Sequence, residues 1–261
     1  MKKFALALTA LAAFTGSAVA ADLPPAPAYS KAPVVVAPAP SWTGFYIFGG
    51  AGGGVWDADT GVSRSGGGPC VLCINNRQGG DGYFGTAGAG YDWQVSQRWV
   101  FGVFGDGQFG SLKGSVSALG LVANEKLKDT WAGGARVGYL VAPMVYSYVN
   151  AGYTGSDWGG TSVVSQFSGA PAGFHTGSFS TQGWFVGGGV ENNLDIFGLA
   201  APGWFMKTEY RAAYYDNKNV NILVDGSNAQ TGFDANFKPL VQTVSTSLVY
   251  RFNWTGPAVR Y

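Results

Sequence analysis

The stretch Trp204-Phe205-Met206-Lys207-Thr208-Glu209-Tyr210-Arg211-Ala212-Ala213-Tyr214 decides how this chain is read. Successive side chains of an extended strand point to opposite faces. Lys207, Glu209 and Arg211 therefore share one face, while Trp204, Met206, Thr208, Tyr210, Ala212 and Tyr214 occupy the other. Wound into a helix, the same residues would scatter charge around the whole circumference. As a strand they separate completely.

The separation recurs along the chain. Arg251 sides with Thr243, Ser245 and Ser247 against Val244, Leu248, Tyr250 and Phe252. Asp92 stands opposite Tyr91 and Trp93, and Asp106 opposite Phe101 and Val103. Arg136 opposes Ala135, Val137 and Tyr139, and Glu191 opposes Trp184, Val186 and Val190. Alternating, Gly- and aromatic-rich stretches fall at 44–56, 82–93, 98–109, 129–140, 145–155, 182–191, 203–214 and 241–252. Long connections at 57–81, 110–128, 156–181 and 215–240 alternate with short ones at 94–97, 141–144 and 192–202. Of the prolines after residue 41, Pro143, Pro202 and Pro239 are placed in connections, Pro69 and Pro171 in loops and Pro257 in the tail. The pattern predicts an all-β chain: an eight-stranded antiparallel up-and-down transmembrane β-barrel over 42–254, with tight turns at one end and long loops at the other.

Parity alone does not say whether the charge-free face meets lipid or packs inside a soluble barrel or sandwich. Composition favours lipid. Charged residues are 12% of the chain, about half the ordinary share, and aromatics are 15%. The polar faces are dominated by Gly, Ser, Thr and Ala, too poorly charged for an exterior in water. Aromatics gather at two levels, as amphipathic rings do at the two headgroup zones. Phe45, Tyr91, Trp93, Trp99, Tyr139, Trp204, Tyr250 and Phe252 lie toward the short turns, and Phe109, Trp131, Tyr153, Trp184 and Tyr214 toward the long loops.

The inward charges are then Asp92, Asp106, Glu191 and Glu209 against Arg136, Lys207, Arg211 and Arg251. An eight-stranded barrel is only wide enough for side chains to fill its interior. Balanced, hydrogen-bonded charges there are expected to plug the lumen as a network. A narrow porin-like diffusion channel is the alternative.

The ends of the chain carry other signals. Residues 1–20 read as a secretory signal peptide: Lys2 and Lys3, an apolar run too short to span a bilayer, then Ala18-Val19-Ala20. Residues 21–41 form a Pro-rich periplasmic tether carrying Pro24, Pro25, Pro27, Pro33, Pro38 and Pro40, and 255–261 a C-terminal tail. Cys70 and Cys73 sit in the first long loop, where export favours a local disulfide; free thiols and metal or redox chemistry stay open. A net charge of +1 offers no footprint for nucleic acid, and one histidine, His175, leaves little for a metal centre. The glycine runs at 49–54 and 187–189 lack a P-loop ending and suit strand curvature. Asp57 and Asp59 fall on one long loop and Asp216 and Asp225 on another, so neither a catalytic set nor a cofactor site is expected.

Several motifs together resemble the small outer-membrane β-barrel proteins of alphaproteobacteria, the porin-like surface-antigen family. Ser41-Trp42-Thr43-Gly44-Phe45-Tyr46 is similar to that family's opening after a Pro-rich tether. Gly88-Ala89-Gly90-Tyr91-Asp92-Trp93-Gln94 resembles its second strand, the segment 204–211 its W-x-x-K-x-E-Y-R run, and Ser247-Leu248-Val249-Tyr250-Arg251-Phe252 its last strand. The resemblance implies a structural surface component of the Gram-negative outer membrane, with loop-mediated interactions in some members. Tyr250 and Phe252 resemble the aromatic-ended signal read by the outer-membrane barrel assembly machinery. The chain departs from the pattern by continuing past Phe252 and by carrying Ser247 where Gly is common. A loop ligand or host surface and the oligomeric state are not specified by the residues.

Overall fold

The computed structural model describes residues 41–66, 68, 70–118, 120–199, 201–252 and 254. The signal peptide, the tether up to residue 40 and the tail from 255 lie outside the described residues.

The chain is a series of antiparallel strands: β1 (Gly44–Arg64), β2 (Cys70–Gln94), β3 (Trp99–Ala118), β4 (Leu121–Ala142), β5 (Val145–Trp158), β6 (Thr161–Ser165), β7 (Pro171–Thr176), β8 (Phe179–Asn193), β9 (Trp204–Tyr215), β10 (Lys218–Val224) and β11 (Gln230–Arg251). Eight of them close a ring in the order β1-β2-β3-β4-β5-β8-β9-β11, with β11 paired back onto β1 from Tyr46–Arg251 to Arg64–Phe233. Closure leaves this ring without an edge, so each backbone polar group finds a neighbour without help from water. The lower connections are tight. Ser96 Oγ accepts from the Trp99 N–H at 3.1 Å, and Asn193 Oδ1 accepts from the Asp195 N–H at 2.7 Å to start the 3-10 turn Leu194–Phe197. Gly198 ends that turn at φ 75°, a left-handed conformation that costs glycine nothing.

The four long connections differ from expectation. The barrel strands run well past the positions expected from alternation, and β6, β7 and β10 form inside the third and fourth connections. Beyond the upper aromatic level, β4 leaves β5 and pairs with β6 through Leu121–Ser165 and Ala123–Val163. β6 pairs with β7, β7 with β10, and β10 with β11. The result is a second storey in which β6, β7 and β10 replace β5, β8 and β9. The β2–β3 ladder ends at Gly80–Gly114, and the Gln78 side chain spans the seam above it by donating to the Ser117 carbonyl at 2.6 Å and accepting from the Ser117 N–H. Val116, Val122, Val220 and Ile222 are β-branched, which favours continued pairing beyond the upper aromatic level.

Pro239 is a related correction. It lies inside β11, opposite Ala58, and not in a connection. Its position is the fork where β11 exchanges β10 (last pair Lys218–Phe237) for β9 (first pair Tyr214–Leu240), so no partner strand there needs the missing N–H. Pro171 is likewise the first residue of β7, not a loop residue.

Outside and inside match the parity reading. Val103, Leu248 and Val244 are about half exposed on the outer wall, whereas all eight inward charges are buried. The aromatics of the lower level pack in tilted or edge-on pairs, Tyr91 with Trp93, Trp99 with Tyr139 and Trp204 with Tyr250. Those of the upper level also pair, Trp131 tilted against Tyr153 and Trp184 stacked on Tyr214. Between the two rings lies a charge-free band.

Candidate functional site

The lumen between the girdles is filled by two charge clusters, each with two cations and two anions. In the first, Arg136 lays its guanidinium along Asp92, Nε on Oδ1 at 2.9 Å and Nη2 on Oδ2 at 2.6 Å, and reaches Glu191 Oε2 at 3.2 Å. Arg251 approaches from the last strand, its Nε on Glu191 Oε1 at 2.8 Å and Nη2 on Asp92 Oδ2 at 2.7 Å. Four strands distant in sequence thus meet at one level. In the second cluster, Arg211 forks onto Asp106 at 2.9 and 2.7 Å and donates to Glu209 Oε1 at 2.8 Å, while Lys207 Nζ lies 3.7 Å from Glu209 Oε2. Bidentate forks of this kind give the strongest and most directional ion pairs. Removing such charges from water is costly, and net neutrality with several hydrogen bonds to each arginine and carboxylate offsets it.

Aromatic rings separate and cap these clusters. The Arg136 guanidinium lies 4.3 Å from the Tyr46 ring and 5.1 Å from that of Tyr148, and Arg251 lies 4.5 Å from Trp42. Lys207 Nζ sits 3.3 Å from the Phe48 ring centroid, and Arg211 4.6 Å from Phe185. The Tyr148 hydroxyl donates to Glu209 Oε2 at 2.8 Å. At the lower mouth Trp42 is 1% exposed, packs on Phe205 and Trp254, and donates its indole N–H to the Pro143 carbonyl at 3.2 Å. Room for these groups comes from glycine on the inner wall: a Cβ on Gly102 would collide with Asp92 Oδ1, and one on Gly90 with the Tyr46 hydroxyl.

The sequence reading placed the eight charges on the inner wall without assigning partners, and it missed Trp42, Tyr46, Tyr146 and Tyr148. For Tyr146 and Tyr148 the signal was present in β5, where they and Asn150 alternate with Val149 and Ala151. It was overlooked because aromatics were assigned to the girdles. Tyr250 points outward against Trp204, with Phe252 beside it at 5.1 Å. Cys70 and Cys73 are on the β2 backbone, but their side chains lie outside the described residues. His175 of β7 pairs through Nδ1 with Asp225 Oδ1 at 2.7 Å, well away from the charged lumen in the chain's upper storey. Ser247 is buried opposite Gly50, whose missing Cβ leaves its space to the Ser247 hydroxyl.

A closed ribbon with two aromatic girdles outside and neutral ion-pair clusters inside defines an integral outer-membrane β-barrel. The family comparison agrees: residues 6–237 match the model described as the outer membrane protein beta-barrel domain. The chain belongs to that family. It is 31% identical to the 31 kDa outer-membrane immunogenic protein of Brucella melitensis over 97% of this chain and 100% of the relative. The 25 kDa outer-membrane immunogenic protein of Brucella canis is 30% identical, over 97% and 99%. Similar solved structures include OprG from Pseudomonas aeruginosa, at TM-score 0.49 and 9% identity, covering 80% of this chain and 97% of that one. Neisserial surface protein A matches at TM-score 0.37 and 16% identity, over 80% and 98%. The protein resides in the Gram-negative outer membrane, in contact with its lipid.

Proposed function

We propose that this barrel is a non-conducting structural component of the outer membrane that holds a β-built storey above the outer leaflet. The observation that carries this reading is the lumen. Asp92, Arg136, Glu191 and Arg251 close one level and Asp106, Lys207, Glu209 and Arg211 another, with Trp42 and Phe205 beneath them. Moving an ion through would require breaking forked, dehydrated pairs, each removal leaving an uncompensated charge. The function is non-enzymatic in this reading: the ion pairs hold structure and turn over nothing. The narrow porin-like channel is the outcome that the test can return instead. In planar bilayers the purified barrel is expected to give no stable conductance steps. Large, reproducible open states would overturn the plug.

The terminal strand supports a second element of the proposal. Tyr250 near the end of β11 and Phe252 just past it carry outward aromatic rings, and the Phe252 N–H donates to the Phe45 carbonyl at 3.1 Å, closing the ring. We infer that the barrel assembly machinery reads this end. Tyr250→Ala with Phe252→Ala should slow insertion in a reconstituted assembly reaction; unchanged insertion would refute it.

A further inference from the structure

The upper storey holds a half-open cavity of about 690 Å³, within the range of about 300–1,000 Å³ typical of small-molecule sites. Its walls are short and apolar, with Val62, Val116, Val163 and Ala235 among them. Its floor is aromatic: Phe179 and Phe237 line it, and Trp158 packs 4.8 Å from Phe237 with Trp56 5.2 Å from Trp158. This floor separates the chamber from the charged lumen below.

Among the described residues, one ionisable side chain interrupts the mostly apolar lining. Glu125 lies on β4 beyond the upper girdle residue Trp131, lines the cavity and is 7% exposed. Its Oε2 has no hydrogen-bond partner, and no ion pair to it exists among the described residues. Thr176 also lines the cavity, and its buried hydroxyl is unpartnered. Elsewhere in this barrel every strongly buried carboxylate of the lumen clusters is met by a cation. A buried polar group without a partner carries a cost that a bound donor removes. Burial pushes the Glu125 carboxyl up to about 7.

We propose that the upper storey is a binding chamber for a small apolar molecule bearing a protonated amine, the hydrocarbon body filling the cavity and the ammonium pairing with Glu125. An anionic amphiphile would place like charge against the carboxylate, and a purely apolar one would leave it unpaired. The proposal stands apart from the plugged lumen, whose conductance test does not bear on it.

The probe is 1-adamantanamine, compared with 1-adamantanol and 1-adamantanecarboxylate, titrated by calorimetry into the full-length barrel in phosphatidylcholine nanodiscs. The titration is run at about pH 8, where a carboxyl raised to about 7 is mostly ionised. The amine is expected to bind saturably and about tenfold or more tighter than the carboxylate, a charge-assisted gain. Glu125→Gln keeps the side chain's shape and should weaken the amine about tenfold while changing the alcohol by less than about twofold. Ala235→Phe, which fills the chamber from β11, should weaken amine and alcohol alike; circular dichroism and heat-modified gel migration report whether each variant is folded. Absence of saturable amine binding to the unaltered protein, or an amine affinity indifferent to Glu125→Gln in folded protein, overturns the proposal.

Discussion

The two storeys of this molecule are built on nearly the same wall and filled in opposite ways. Between the girdles, a ring of eight strands surrounds arginines, carboxylates and large aromatic rings packed to near-complete burial. Above the upper girdle β6, β7 and β10 continue the ring, yet the interior is a cavity of about 690 Å³. Strand number sets the radius of a barrel, so a wider wall does not explain the hollow. Side-chain length does. Arg136, Arg211 and Arg251 reach across the lower lumen, whereas Val116, Val163 and Ala235 stop short in the upper one. The lesson is that the ring fixes the space and the inward residues decide whether it is plug or chamber.

The sharpest way to break this contrast is to open the plug. Arg251→Ala leaves Asp92 and Glu191 with one cation between them, and should destabilise the barrel by about 3–5 kcal/mol, measured by urea unfolding in lipid vesicles. A cost below about 1 kcal/mol would mean that the cluster is hydrated and the lumen not sealed. Next comes the outer wall. Val103→Arg on the charge-free band should cost about 2–4 kcal/mol in the same assay. Asn124→Arg, on the exposed outside of the upper storey, should stay within about 0.5 kcal/mol. Equal costs would place both storeys in the same solvent.

Glu125 tests the upper storey alone. Its carboxyl holds a proton to about pH 7 in the folded protein against 4.5 ordinarily. The folded state therefore binds more protons between those values, so local stability is greatest at the acidic end and falls as pH rises through the window. Glu125→Gln should abolish that slope and, near neutrality, stabilise the β3–β4 hairpin by on the order of 2–3 kcal/mol, read by amide hydrogen exchange at Val122 and Ala123. A slope unaltered in the variant would assign the effect to another group. A smaller loss concerns one lumen hydrogen bond: Tyr148→Phe removes the 2.8 Å bond to Glu209 and should cost about 1.5–2 kcal/mol by the same unfolding measurement.

Much of the lower storey was legible in single residues. Lys207, Glu209 and Arg211 share a face because strand periodicity is two, and that arithmetic needs no tertiary information. Their partners were another matter. Asp106 meets Arg211 across five intervening strands of the chain, a proximity created only when β11 closes on β1. The upper storey was hidden more deeply. The segments 57–81, 110–128, 156–181 and 215–240 were read as loops because their alternation is weaker and punctuated by Gly, Asn and Pro, but pairing with a neighbouring hairpin supplies what local propensity lacks. Pro239 misled for a related reason: its cost depends on whether a partner strand is present, and at the β9–β10 fork none is.

From the chain alone followed the strand class, the membrane-facing side, the aromatic girdles and the list of inward charges, since each depends only on the order of residues along an extended backbone. The closed ring decided the rest: which charge neutralises which, how Trp42 seals the lower mouth, and that Glu125 faces an apolar hollow with no cation paired to it among the described residues. Ion pairing, sealing and cavity volume are properties of distances between remote segments, and those distances exist only once β11 has found β1.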